Sequence, residues 1–161
     1  MEARVSTIVE NAFRIVPCRF CSRLPLMPSH ANYASVVDGD TIDFQGSRYR
    51  MVGYDTPEIS TPRRKVSAGE RGLAIIAKER FSELLQSGPL DLMEVRCGCS
   101  ESTIGTKKCN HGRKCGVLSL KGKNIGETLI AEELALPFVC SPTRCPRMPN
   151  WPALIEQFDR R

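Results

Sequence analysis

The chain has 161 residues, enough for one ordinary hydrophobic core and short for two, so a single domain with tails is expected. Lys and Arg number 23 against 18 for Asp and Glu, a formal +5, with basic clusters at Arg63-Arg64-Lys65, Lys107-Lys108, Arg113-Lys114 and Arg144 to Arg147; these fit a polyanionic partner, although a charge of this size also suits an ordinary soluble surface. No stretch approaches the roughly 18 to 20 consecutive apolar residues of a membrane-spanning helix, so no membrane partner is expected.

In chain order, residues 1–32 read as an N-terminal arm with Pro17, Pro25, Pro28, the pair Cys18-x-x-Cys21 and a short helix around Val5 to Phe13. Glu10, Asn11 and Arg14 interrupt its apolar run, so no signal peptide is expected and the cytoplasm is the default compartment. Eight cysteines pull the other way, because an even, high count indicates disulfides in an oxidising compartment or metal binding in a reducing one.

A domain is expected over 33–139. Ala34 to Val37 is short and β-prone, Asp38-Gly39-Asp40 is turn chemistry, and Thr41 to Phe44 reads as a strand. Gln45-Gly46 then turns the chain into a strand from Ser47 to Tyr54, completing a meander. Ser67-x-x-Glu70 has the form of a capping box, opening a helix over 68–86 whose Leu73, Ala77, Phe81, Leu84 and Leu85 share one face. Ser87-Gly88-Pro89 stops it. Leu90 to Arg96 reads as a fourth strand, Cys97 to Cys115 as a cysteine-bearing loop and Gly116 to Leu120 as a fifth strand. Asn124-x-x-Glu127 opens a second helix through about Glu133, and the tail over 140–161 carries a short amphipathic helix from Trp151. This order predicts an α+β, mainly β fold: a five-stranded OB-fold barrel with two or three helices.

Taken alone, Asp38-Gly39-Asp40 reads as a hairpin turn and Asp55-Thr56-Pro57-Glu58 as a strand-ending loop. The meander, however, brings the start of one strand at Asp40 and the end of another at Asp55 to the same barrel rim. Two aspartates, a backbone carbonyl such as that of Thr56, and waters make an oxygen shell suited to calcium.

Val36-Val37-Asp38-Gly39-Asp40-Thr41-Ile42, Tyr49-Arg50-Met51-Val52-Gly53-Tyr54-Asp55-Thr56-Pro57-Glu58, the helix from Gly69, and Gly112-Arg113 followed by a strand and Asn124 to Pro137 resemble, in order, the signatures of the thermonuclease (staphylococcal nuclease-like) family. The resemblance spans roughly Tyr33 to Pro137. It implies that Asp40, Asp55 and the carbonyl of Thr56 bind calcium, that Arg50 and Arg113 hold the scissile phosphate, and that Glu58 orients or deprotonates the attacking water. The implied reaction is hydrolysis of DNA or RNA at the 5′ oxygen, leaving a 3′-phosphate, by a monomer with little sequence preference. The chain departs from the family at His111, where tyrosine is common, which leaves His111 as a candidate substrate-pocket residue and Phe138 as the one candidate for the family's later pocket tyrosines.

Cys97, Cys99, Cys109, Cys115, Cys140 and Cys145 are a further departure. They read as disulfides in preference to a structural zinc site, because the spacing lacks two clean Cys-x-x-Cys knuckles, and spacing alone assigns no pairing. The first rival to a nuclease is a catalytically silent OB-fold module binding nucleic acid or protein; the second is a zinc-structured interaction domain.

Overall fold

A computed structural model describes residues 34–62 and 64–158; the arm with its expected helix and Cys18-x-x-Cys21 lies outside them. Strands β1 (Ala34–Asp38), β2 (Thr41–Phe44) and β3 (Ser47–Met51) form the expected antiparallel meander. Gln45 at φ 48° and Gly46 at φ 76° make a two-residue turn with both central residues left-handed, the geometry that matches strand twist in tight hairpins. Between β1 and β2 the register slips from Val36↔Ile42 to Asp38↔Thr41. Such a bulge re-aims side chains, and here it lies beside Asp40.

The strand expected from Ser47 to Tyr54 is two strands. The Val52 N–H donates across the sheet to the Gly116 carbonyl (3.0 Å), and Gly53 at φ 96° turns the chain out of line. β4 (Gly53–Asp55) then pairs antiparallel with a strand not foreseen, β8 (Leu136–Phe138).

Helix α1 (Ala68–Gln86) starts where expected, with the Ser67 hydroxyl accepting from the Glu70 N–H (3.1 Å), and buries Ala74, Ala77, Phe81 and Leu84. The Glu70 side chain serves elsewhere. Fully buried, its carboxylate accepts from both terminal nitrogens of Arg64 and from the Glu58 N–H (3.3 Å). β5 (Leu90–Val95) pairs antiparallel with β6 (Lys114–Leu120), which starts earlier than expected because its first residues pair parallel with β3, Arg50 opposite Cys115. β7 (Lys123–Asn124) folds back on β6. Asn124 caps α2 (Ile125–Ala131), which ends sooner than expected: Glu133 is left-handed, and the Leu134 and Glu133 N–H groups return to the carbonyls of Leu129 and Ile130. The tail contributes α3 (Trp151–Phe158).

The main sheet runs β1-β2-β3-β6-β5 with β7 on β6, and β4-β8 forms a separate ribbon. Ile42, Met51 and Leu118 from the sheet pack with Phe81 of α1 and Ile125 and Leu129 of α2 into one core. The class is α+β. Among the described residues, no β1–β5 pairing closes the sheet into a barrel. No helix among them is long and apolar enough to cross a membrane.

Candidate active site

Thr41 lies opposite Arg50 in the β2–β3 register, so the turn residue Asp40 and the strand residue Arg50 emerge together at the end of the meander. Arg50 Nη1 lies 2.6 Å from Asp40 Oδ2, and its Nη2 lies 2.6 Å from Asp55 Oδ1. Both aspartates are buried, at 3% and 2% exposure. The remaining oxygens are also engaged: Asp40 Oδ1 accepts from the Thr41 hydroxyl (2.9 Å), and Asp55 Oδ2 from the Trp151 indole N–H (2.9 Å).

The charges do not balance. Burial raises the Asp40 pKa to about 8 against the pull of Arg50, with Asp38 and Asp55 adding to the rise. For Arg50, burial works against the charge, but the aspartates outweigh it and hold its pKa up. Arg50 thus lies within electrostatic reach of three acidic groups, Asp38, Asp40 and Asp55, and Arg113 within reach of Asp40, Asp38 and Glu58. Among the described residues no group of three or more His, Cys, Asp or Glu side chains surrounds one point. Excess negative charge on oxygen donors nevertheless fits a hard divalent cation held by Asp40, Asp55, the Thr56 carbonyl and water.

The two acidic motifs touch directly. A Cβ on Gly39 would lie 2.7 Å from Thr56 Oγ1 and 2.9 Å from its Cβ, and Thr56 is buried and β-branched, so it has little room to yield. Gly39→Ala is expected to cost about 1–3 kcal/mol by overpacking. It should also push Asp40 and Thr56 apart, so any affinity of the site for a divalent cation should fall with it. Urea unfolding and calorimetry check the two effects separately.

Arg113 arrives from the cysteine loop. Asn110, His111 and Gly112 are consecutively left-handed at φ 48°, 58° and 80°, a curl that brings Arg113 back over Asn110. Its Nε donates to the Asn110 carbonyl (3.1 Å), its Nη2 to Asn110 Oδ1 (2.9 Å) and its Nη1 to the Thr41 hydroxyl (3.2 Å), which itself bonds Asp40. Burial, then the like charge of Arg50, push the Arg113 pKa down, while Asp40, Asp38 and Glu58 oppose them; an arginine stays charged regardless. Bridges Cys97–Cys115 and Cys99–Cys109 staple this loop, and Cys140–Cys145 closes a turn in the tail. Three disulfides are the cysteine state of an oxidising environment.

Asp40, Arg50, Glu58, His111, Arg113 and Phe138 all line one cavity of about 600 Å³. Asp55 lies behind Arg50, against a smaller cavity shared with Glu58 and Trp151. A neighbouring apolar cavity of about 610 Å³ meets the first at Arg50, Asn110, Phe138 and Cys145. Burial first, then Asp38 and Asp55, raise the Glu58 pKa, as suits a proton acceptor. Of the charged residues expected at the site, Asp40, Arg50, Glu58 and Arg113 line the larger cavity, and Asp55 reaches it only through Arg50. Sequence reasoning missed Asn110, Thr41, Glu70 and Trp151; the only signal was that Trp151 is the chain's single tryptophan.

No protein-family model matches the chain, and no curated protein matches it significantly.

Proposed function

We propose that this chain is a calcium-dependent nuclease resembling the thermonuclease family, a monomer built on an open-sided OB-fold that cuts DNA or RNA with little sequence preference in an oxidising compartment. The observation that carries this reading is the convergence of four separate segments, with Asp40, Arg50, Glu58 and Arg113 lining one cavity and Asp55 held behind it on Arg50. A meander whose third strand runs parallel to β6, with α1 inserted between them in sequence, supports an OB-like topology whose sheet stays open between β1 and β5.

A phosphodiester is anionic, and attack by water adds charge to its oxygens. Arg113 and Arg50 line the cavity where that charge would develop, and a guanidinium fork pairs two phosphate oxygens at once. Glu58, its proton affinity raised by burial, accepts the proton of the attacking water. Calcium held by Asp40, Asp55 and the Thr56 carbonyl would supply further positive charge at the phosphate. Contacts to phosphate and sugar read little base identity.

Digestion of single-stranded DNA with calcium and with chelator tests the reading. Cleavage should require the cation, and Glu58→Gln should lower kcat by roughly 10²–10⁴. Because a general base must be deprotonated, wild-type rates should rise with pH through a pKa above the ordinary glutamate value, and the variant should lose that limb. Full activity in chelator would sink the calcium mechanism. A well-folded wild type that binds but never cleaves across several divalent ions would leave the silent binding module, which the occupation of Arg50 by two aspartates favours. A zinc-structured domain would need thiolates that these bridges consume, so zinc analysis of the oxidised protein tests it.

A further inference from the structure

The tail, 96 residues after Asp55, returns to the site. Trp151 is 3% exposed, and its indole N–H donates to Asp55 Oδ2 at 2.9 Å. A buried indole needs an acceptor, but a backbone carbonyl would serve; here the acceptor is the carboxylate whose other oxygen meets Arg50. A neutral donor fixes a carboxylate without cancelling its charge, as a lysine or arginine in that place would. The rest of the tail serves the same placement. Cys140–Cys145 and the Ser141 N–H to Arg144 carbonyl bond (2.8 Å) turn the chain, and Met148 and Pro149 share a cavity with Asp55 and Glu58. Ile155 of α3 packs on Gly69, where an added Cβ would lie 3.3 Å from its Cγ2, next to the Glu70 that holds the Glu58 N–H.

We propose that Trp151 is a positioning residue of the cation site: its indole N–H orients the Asp55 carboxylate so that charge and lone pairs face Arg50 and the cation. The calcium ligation invoked here rests on the reading above, and its test is chosen to be independent of cleavage. A hydrogen bond behind a ligating carboxylate fixes its direction, and losing such a partner typically weakens metal binding about 10–100-fold.

Calcium affinity is measured by calorimetry for wild type, Trp151→Phe and Ile155→Ala. Trp151→Phe keeps the ring and deletes the donor, so calcium should bind at least about tenfold more weakly. Ile155→Ala loosens the helix and keeps the donor, so its Tm in chelator should fall while calcium affinity stays within about threefold of wild type. As the single tryptophan, Trp151 also reports directly. In the full-length wild type its emission should shift on saturation with calcium, and bound terbium should luminesce on indole excitation until calcium displaces it. Wild-type affinity in Trp151→Phe, equal losses in both variants, or tryptophan emission blind to bound calcium each overturn the proposal. A wild type that shows these signatures but cleaves nothing removes the nuclease reading and leaves the positioning role standing. A wild type that binds neither ion removes both.

Discussion

Arg50→Ala should abolish cleavage and, without calcium, unfold the protein at a markedly lower temperature. The guanidinium bridges two buried aspartates at 2.6 Å each. Removing one partner of a buried ion pair costs about 3–5 kcal/mol, because the surviving charges have neither water nor counter-charge. Asp40, whose pKa burial already raises, would partly escape that cost by taking up a proton. The informative measurement is the calcium dependence of Tm. On the proposed reading, a cation in wild type would compete with Arg50 for the same carboxylates, and in the variant would meet them undefended. Calcium should therefore raise the Tm of Arg50→Ala more than that of wild type, while kcat stays down by roughly 10³ or more, the scale of a lost charge-stabilising group. Equal shifts in the two proteins would show that the cation does not use these aspartates.

Opening the bridges of the cysteine loop should cost activity more than it costs the fold. Cys99–Cys109 nests within Cys97–Cys115, so together they close the segment that ends in the Asn110-His111-Gly112 curl. Loop-closure entropy puts the longer bridge at about 3 kcal/mol. Beyond Arg113, β6 remains held by β3 on one side and β5 on the other, so the sheet persists. Arg113 then loses its seat on Asn110, and a freely pivoting arginine would no longer offer the proposed phosphate contact in a fixed geometry. Cys97→Ser with Cys115→Ser should approach the Arg113→Ala rate, with kcat down roughly 10²–10⁴ and most secondary structure retained by circular dichroism. Undiminished turnover in that double variant would separate Arg113 from the longer staple.

The parts of this molecule that could be read in advance are those whose residues are neighbours in sequence. Asp38-Gly39-Asp40 and Asp55-Thr56-Pro57-Glu58 each occupy one turn of chain, so turn chemistry and the meander sufficed to bring them together. The helix over 68–86 announced both its ends through Ser67 and Ser87-Gly88-Pro89. The break at Val52 was less visible, because Gly53 fits an alternating strand until its positive φ is known. β8 is three residues with a central proline, tolerable only because it pairs along one edge of a ribbon, opposite Tyr54. Cysteine spacing could not choose a pairing, since it depends on how the loop curls. Asn110 looked like any loop residue, and its hold on Arg113 depends on three left-handed residues in a row. Trp151 belonged to an amphipathic pattern that promised a helix and said nothing of where it would dock.

The long reach of the Trp151–Asp55 bond also sets when the site can exist. A ribosome releases this chain from its N-terminus, so the acidic motifs and Arg50 emerge first, Arg113 later, and the indole last of all. Contacts separated by 72 residues (Thr41–Arg113) and 96 residues (Asp55–Trp151) form only after the intervening chain has been made and closed into a loop. A nascent chain shorter than about the tail helix thus carries the acidic motifs without the lock on Asp55. The order of synthesis therefore sets the order of assembly: Asp40, Arg50 and Asp55 are in place before the indole that closes on Asp55 has been made.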